Sequence, residues 1–329
     1  MPARPHPVLR CRASQRRGLL RSLAAVALAS AGPAWAAFPT RPVRVLVPQA
    51  PGGAADQLVR LLAARLEALW GQSVVIEYKP GGGSVLATQT LARSAPDGLT
   101  LASAGSSLTL NTVLRRDLPY RLSDLQPLVR VGYYTTVLLA HPSVAAKDAR
   151  ELLALARGTP LNYGSNGVGS AAHLAGELLN QAGGVAMQHV PYNGASKMYT
   201  DMLGGRLPLG LSIAGSAEAF VKAGQLKVLG VTTAARSPLF PTWPAIAESV
   251  PGYEAVNWAG LIAPAGLPRE VLDALGNDLM KVLRQPETRK ALADMGVEAA
   301  ELPPAEFAAF VQRDIERITP LASKIGPLQ

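Results

Sequence analysis

Val43-Arg44-Val45-Leu46-Val47-Pro48-Gln49-Ala50-Pro51-Gly52-Gly53-Ala54-Ala55-Asp56 carries the logic of the whole chain in one short stretch. Its first five residues form a β-branched run that stops at proline and a glycine pair, the punctuation of a strand ending in a turn. From Ala55 to Trp70 the apolar residues Leu58, Leu61, Leu62, Leu66 and Leu69 fall on one face of a helical period, which predicts an amphipathic helix. The pattern then returns, with a strand at Val74 to Tyr78, a glycine turn at Pro80 to Gly83, a helix at Val85 to Ala92 and a strand at Leu99 to Ala102. Strand, glycine turn, helix and strand in repetition predict an α/β fold built on mainly parallel sheets flanked by helices.

Further along, helices are expected at Glu151 to Ala156, Ala171 to Ala182, Lys197 to Leu203 and Ala217 to Ala223. Strands are expected at Asn162-Tyr163, Met187 to Val190, Leu207 to Ile213, Leu226 to Thr232 and Trp258 to Ala263. Three closing helices open near Pro268, Pro286 and Pro304, where a missing N–H costs nothing. At 329 residues the chain is long enough for two domains. Crossings near Ala140–Pro142 and Trp258–Gly260 predict one lobe from residues 37–140 with 260–329, a second from 141–259, and a cleft between them.

The net charge of +9 suggests a polyanion partner until the charges are placed. Residues 1–36 hold six of the 32 basic residues and none of the 23 acidic ones, so the remainder is nearly balanced and nucleic acid is not an expected partner. Arg16-Arg17, the apolar run through Ala29 and Ala34-Trp35-Ala36 read as an export signal cut before Ala37, which places the product in the periplasm. Arg16-Arg17-Gly18-Leu19-Leu20-Arg21 resembles a twin-arginine signal, and an ordinary secretory signal fits the same residues. The single cysteine, Cys11, lies in this segment, so thiol catalysis and cysteine-ligated metal are excluded from the chain beyond Ala36.

Four loops follow strands and open helices: Pro48–Asp56, Pro80–Ser84, Gly105–Ser107 and Ser165–His173. Backbone amides at a helix start carry a partial positive charge and can hold an anion without a charged side chain. Such turns are also simply how parallel sheets reverse direction. Ser170 is placed to cap the helix at Ala171. Asp56 either complements the helix dipole or meets a ligand. Gly167-Val168-Gly169-Ser170-Ala171-Ala172 fits a loose dinucleotide fingerprint but lacks the acidic residue at the end of the next strand, so no cofactor is expected. His141, His173 and His189 are scattered, and His173 with Glu177 is too few ligands for a metal site. A hydrolase using Ser170 and His173 would lack an orienting acid, so no enzyme activity is expected.

Val47 to Asp56 resembles the Pro-Phe-Ala-Pro-Gly-Gly-x-x-Asp opening of the tripartite tricarboxylate transporter substrate receptors, also called Bug receptors. Glu77 to Gly83, Ala95-Pro96-Asp97-Gly98, Leu161 to Ser165, His173 to Leu178, Val190-Pro191-Tyr192, Asp201 to Gly205 and Leu261 to Gly266 continue the resemblance in order. It implies a two-lobed, type II periplasmic binding fold that takes a small carboxylate in its cleft. It also implies a monomer that delivers its ligand to a two-component membrane permease; a sensory receptor of the same fold signalling to a kinase is the alternative. Carried over by position, the ligand contacts would be Ala50, Gly52, Gly53, Ala54 and Asp56, then Ser106 and Ser107, then Ser165, Gly167, Gly169, Ser170 and His173, with Asn193 and Ser212. The chain departs from the pattern at Gln49, Ala172, Asn193, Pro208 and Ser212. Serine in place of an acid at position 212 removes a partner for an ammonium group, so the expected ligand is a carboxylate that is not an amino acid.

Overall fold

The computed structural model describes Met1, residues 38–192 and residues 194–321, and the described residues from Arg41 form one compact unit. The export signal expected at residues 1–36 lies outside the described residues apart from Met1.

Two sheets share the unit. In the first, β1 (Val43–Val47) lies between β2 (Val74–Tyr78) and β3 (Thr100–Gly105), parallel to both. Beyond β3 come β10 (Trp258–Pro264), β4 (Leu125–Tyr134) and the edge strand β11 (Val297–Leu302), each antiparallel to its neighbour. In the second, β6 (Asn162–Ser165) lies between β7 (Gln188–Pro191) and β8 (Leu209–Ile213), again parallel to both. There β5 (Thr136–Ala140) joins β8 to the edge strand β9 (Lys227–Val231) through antiparallel ladders.

The expected mainly parallel sheets are therefore mixed sheets, each with one parallel trio. The physical reason is the route of the chain. β4 leaves the first sheet at the end where β1 and β3 also finish, so β5 must run away from that junction, against the second trio. β10 returns through the same junction and runs against the first trio in the same way.

The change of sheet falls at Thr135, ahead of Ala140–Pro142, because residues 136–140 already pair within the second sheet. Thr135 is fully buried and donates its hydroxyl proton to Glu298 Oε1 at 2.5 Å, while its carbonyl accepts from the Ala214 amide at 2.8 Å. The return passes alongside it, since the Tyr134 amide donates to the Asn257 carbonyl at 2.8 Å.

The helices run as their spacing predicts. α1 (Ala54–Trp70) buries Leu58, Val59, Leu62 and Leu66 on one face. α2 (Val85–Ala92) and α3 (Ser106–Leu114) complete the first series. α4 (Ala149–Ala156), α5 (Ala171–Gly183), α6 (Ala195–Leu203) and α7 (Ala214–Lys222) clothe the second sheet. α8 (Arg269–Leu283), α9 (Pro286–Asp294) and α10 (Pro304–Ile318) close the chain. Pro286 and Pro304 take the first helical position, and Pro268 stands just outside α8.

Trp258 is fully buried in the first core. Its ring meets Phe307 edge to face at 5.4 Å and its Nε1–H donates to Asp314 at 3.1 Å. It therefore anchors the start of β10 to α10, a packing role worth about 3–5 kcal/mol on truncation. β4, β5, β11 and α3 escape the sequence reading. α3 is rich in Ser, Thr and Asn, which helix propensity disfavours, and burial of Leu108, Leu110 and Leu114 overrides that preference.

Candidate functional site

Two loops at the carboxyl ends of β1 and β6 have the same outline, strand then glycine turn then helix, and different chemistry. In the first, Gly52 turns at φ 86°, a left-handed conformation that favours glycine. Its amide donates to Asp56 Oδ2 at 2.7 Å. The other carboxylate oxygen accepts from Arg60 Nε at 2.9 Å and from the Tyr78 hydroxyl at 2.7 Å. Burial pushes the Asp56 carboxyl upward, but its bonds from Gly52, Tyr78 and Arg60 outweigh that and hold it below the usual carboxylate range.

Asp56 thus shapes the loop from beneath. Ala50 and Gly52 stand exposed above it, Gly53 and Ala54 are half-buried, and Gly53 supplies no side-chain cap to α1. Ala54 and its two successors occupy the first turn of the helix, where amides have no acceptor within the helix.

Ser106 and Ser107 separate in role. The Ser106 hydroxyl donates to the Val256 carbonyl at 3.1 Å and accepts from the Trp258 amide at 3.0 Å, which ties α3 to the returning chain. Ser107 is half-buried, and its oxygen lies 3.0 Å from that of Ser84. Asn111 Nδ2 donates to the Gly83 carbonyl at 2.7 Å, so the loop after β2 is drawn against the start of α3.

The second loop holds no charged side chain within its turn. Ser165 is fully buried at the end of β6, with its oxygen 2.7 Å from His189 Nε2 and accepting from the Gly167 amide at 3.2 Å. The Ser170 hydroxyl donates to the Gly167 carbonyl at 2.8 Å and caps α5 by accepting from the His173 amide at 3.1 Å. Gly169, at φ 74°, donates its amide to His173 Nδ1 at 3.2 Å. The His173 ring stacks on His189 with centroids 3.9 Å apart and planes 18° apart.

Below the two rings, the Tyr163 hydroxyl donates to Glu177 Oε1 at 2.6 Å. Burial lowers the affinity of His173 for a proton against a smaller opposing pull from Glu177. Burial first, and the charge of His173 second, push His189 down to about 4. Both rings are neutral at pH 7 as a result. Val168 stands exposed at the apex, and Ala171 and Ala172 begin the helix with amides that have no helical acceptor.

Most of the expected residues fall into two loops. Ala50, Gly52, Gly53, Ala54 and Asp56 share the first loop, and Ser165, Gly167, Gly169, Ser170 and His173 share the second. Ser212 is buried on β8, where the Tyr199 hydroxyl donates to it at 2.9 Å. Tyr199 also lines a cavity of about 360 Å³ between α6 and α7, with Ser196, Ser216 and Phe220. Asn193 lies outside the described residues. His189, Tyr163, Tyr78 and Ser84 are the contributors that the sequence reading leaves out. His189 reaches His173 only because β6 and β7 pair in register, with Tyr163 opposite His189.

Ser170 and His173 meet through the start of α5, where the Ser170 hydroxyl accepts from the His173 amide. Nδ1 of His173 faces Gly169, and the Ser170 hydroxyl is engaged by Gly167 and the helix start. Among the described residues no three His, Cys, Asp or Glu side chains gather as metal ligands.

Comparison with known proteins identifies a family. The family model described as the tripartite tricarboxylate transporter family receptor matches residues 58–327. A structure of Rpa4515 from R. palustris with adipate is 32% identical, with a TM-score of 0.79, covering 88% of this chain and 100% of that one. MatC (Rpa3494) from Rhodopseudomonas palustris with bound malate is 29% identical, with a TM-score of 0.74, covering 87% and 100%. The periplasmic binding protein BugD is 28% identical, with a TM-score of 0.75, covering 88% and 98%.

Proposed function

The chain belongs to the tripartite tricarboxylate transporter receptor family, and we propose that it is an exported solute receptor that binds a small carboxylate between its two loops. The signal at residues 1–36 directs it to the periplasm, where it acts as a monomer and hands its ligand to a two-component membrane permease. Two lobes close on the ligand about Thr135 and the antiparallel return at Asn257, a hinge motion driven by contacts to both halves.

One observation carries the reading: α1 and α5 both start beyond a strand end, with open first-turn amides above loops already shaped by their own side chains. Arg60, the cation bonded to the first loop, is engaged by Asp56, which leaves amides and hydroxyls to meet the anion. A serine buried at position 212 and bonded to Tyr199 offers no charge to an ammonium group. The ligand is therefore a mono- or dicarboxylate without an amine, and the acids bound to two relatives, adipate and malate, are of that class.

A thermal-shift panel of adipate, malate, other small carboxylates, their amides, aspartate and glutamate tests this. The expected result is stabilisation by an amine-free acid that its amide does not reproduce, about 2.7 kcal/mol at ~100 times the dissociation constant. Stabilisation by the amides, or by aspartate and glutamate above all others, overturns it.

A further inference from the structure

The geometry points to His173 as a positioning residue: its uncharged ring holds the Gly169 amide, and with it the second loop, so that protonation of the ring releases the loop. The proposal rests on the carboxylate reading only for the purpose the loop serves. A backbone N–H can only donate, and the Gly169 N–H points at Nδ1 of His173 from 3.2 Å. Nδ1 must therefore be unprotonated, since a proton there would set one donor against another. Gly169 also takes a left-handed conformation, at φ 74°, so the turn changes course at a residue His173 holds.

The ring is buried and lies flat on His189, whose Nε2 is 2.7 Å from the Ser165 oxygen that accepts the Gly167 amide. The stack of two imidazoles thus holds the Gly169 amide directly and the Gly167 amide through Ser165. The titratable groups facing it are few. Glu177 stands one helical turn beyond His173 on α5, and the Tyr163 hydroxyl on β6 donates a hydrogen bond to Glu177. Of these, only Glu177 favours a charged His173, and the burial that opposes the charge is the larger effect. Stacking at 3.9 Å also sets two imidazolium charges against each other, so the rings cannot both ionise cheaply. A charged His173 attracting the anion directly would give the opposite behaviour, with a loop that stays ordered in acid.

Nuclear magnetic resonance of the ligand-free protein from pH 8 to 4 separates the two, reading imidazole nitrogens and glycine amides together. In the wild type, His173 should show an unprotonated Nδ1 at neutral pH. The Gly167 and Gly169 cross-peaks should then shift or vanish together as His173 titrates below 6.5. His173→Asn places an amide oxygen near the position of Nδ1, so Gly169 should keep its neutral-pH resonance and lose its acid transition. Glu177→Gln still accepts from Tyr163 but removes the charge that favours protonation, so the transition should move to lower pH. A protonated Nδ1 at neutral pH, glycine amides unmoved while His173 titrates, or an unshifted transition in Glu177→Gln overturns the proposal. No ligand is present in this measurement, so its failure and that of the carboxylate panel are independent.

Discussion

At the end of β1 a charge holds the turn, with Asp56 gathering the Gly52 amide, the Tyr78 hydroxyl and the Arg60 guanidinium on two oxygens. At the end of β6 neutral groups hold an equivalent turn, with Ser165 and His173 each taking one glycine amide. Both leave a helix start open above them. The contrast teaches that loops of this kind need their amides aimed, and that the aiming groups decide the conditions under which the aim holds. A carboxylate does that work in its ionised form, and an imidazole acceptor does it only while uncharged.

Acid should produce the largest separation between the two. His189 in the folded chain titrates near 4, below the 6.5 of a free imidazole, so the unfolded chain takes up protons first as the pH falls. The stability this contributes is complete above 6.5 and is lost as the pH drops through about 4. Asp56 is shifted below its ordinary 3.8, so its contribution is complete above 3.8 and is lost only in stronger acid. Urea unfolding at stepped pH should show two separate losses, and a single loss below 3.8 would remove the distinction.

Gly176→Ala should break the second loop's support alone. An added Cβ on α5 would sit 2.2 Å from the buried Tyr163 ring, on which the His189 end of the network rests. Overpacking of that kind should cost about 3 kcal/mol in chemical unfolding while the Gly52 amide stays protected. Asp56→Asn is the counterpart in the first loop, where three donors would then meet one acceptor oxygen and an opposing amide. A loss of about 2 kcal/mol is expected, with hydrogen exchange accelerated at Gly52 and unchanged at Gly169. Ser170→Ala removes the only side-chain cap of the pair and should cost about 1 kcal/mol. Gly53→Ser, at a position with extended backbone and no cap, should gain a few tenths of a kcal/mol. If it instead destabilises, the two helix starts differ by more than their caps.

Much of this was legible residue by residue. Proline and glycine mark the ends of β1 and β2, and the leucine spacing of α1 shows which face is buried. Ser170 was recognisable as a cap because capping is a local bond between neighbours. Asp56 could be placed at a helix start, but its choice between ligand contact and loop support depended on Tyr78, which only the β1–β2 pairing brings near. The antiparallel strands were hidden for a different reason. β4 and β11 alternate poorly, and their direction is set by where the chain crosses between sheets, which no window of sequence contains.

The sequence by itself determined the α/β grammar, the two glycine turns, the Ser170 cap and the family, because each is a short-range pattern of residue types. Only the tertiary structure decided the mixed order of the strands, the burial of Ser212 under Tyr199 and the stack of His173 on His189. Those depend on strand register and on the path between sheets. Register moves a side chain several ångströms for a single residue of slip, so the partners of a buried polar group are a property of the pairing, not of the residues around it.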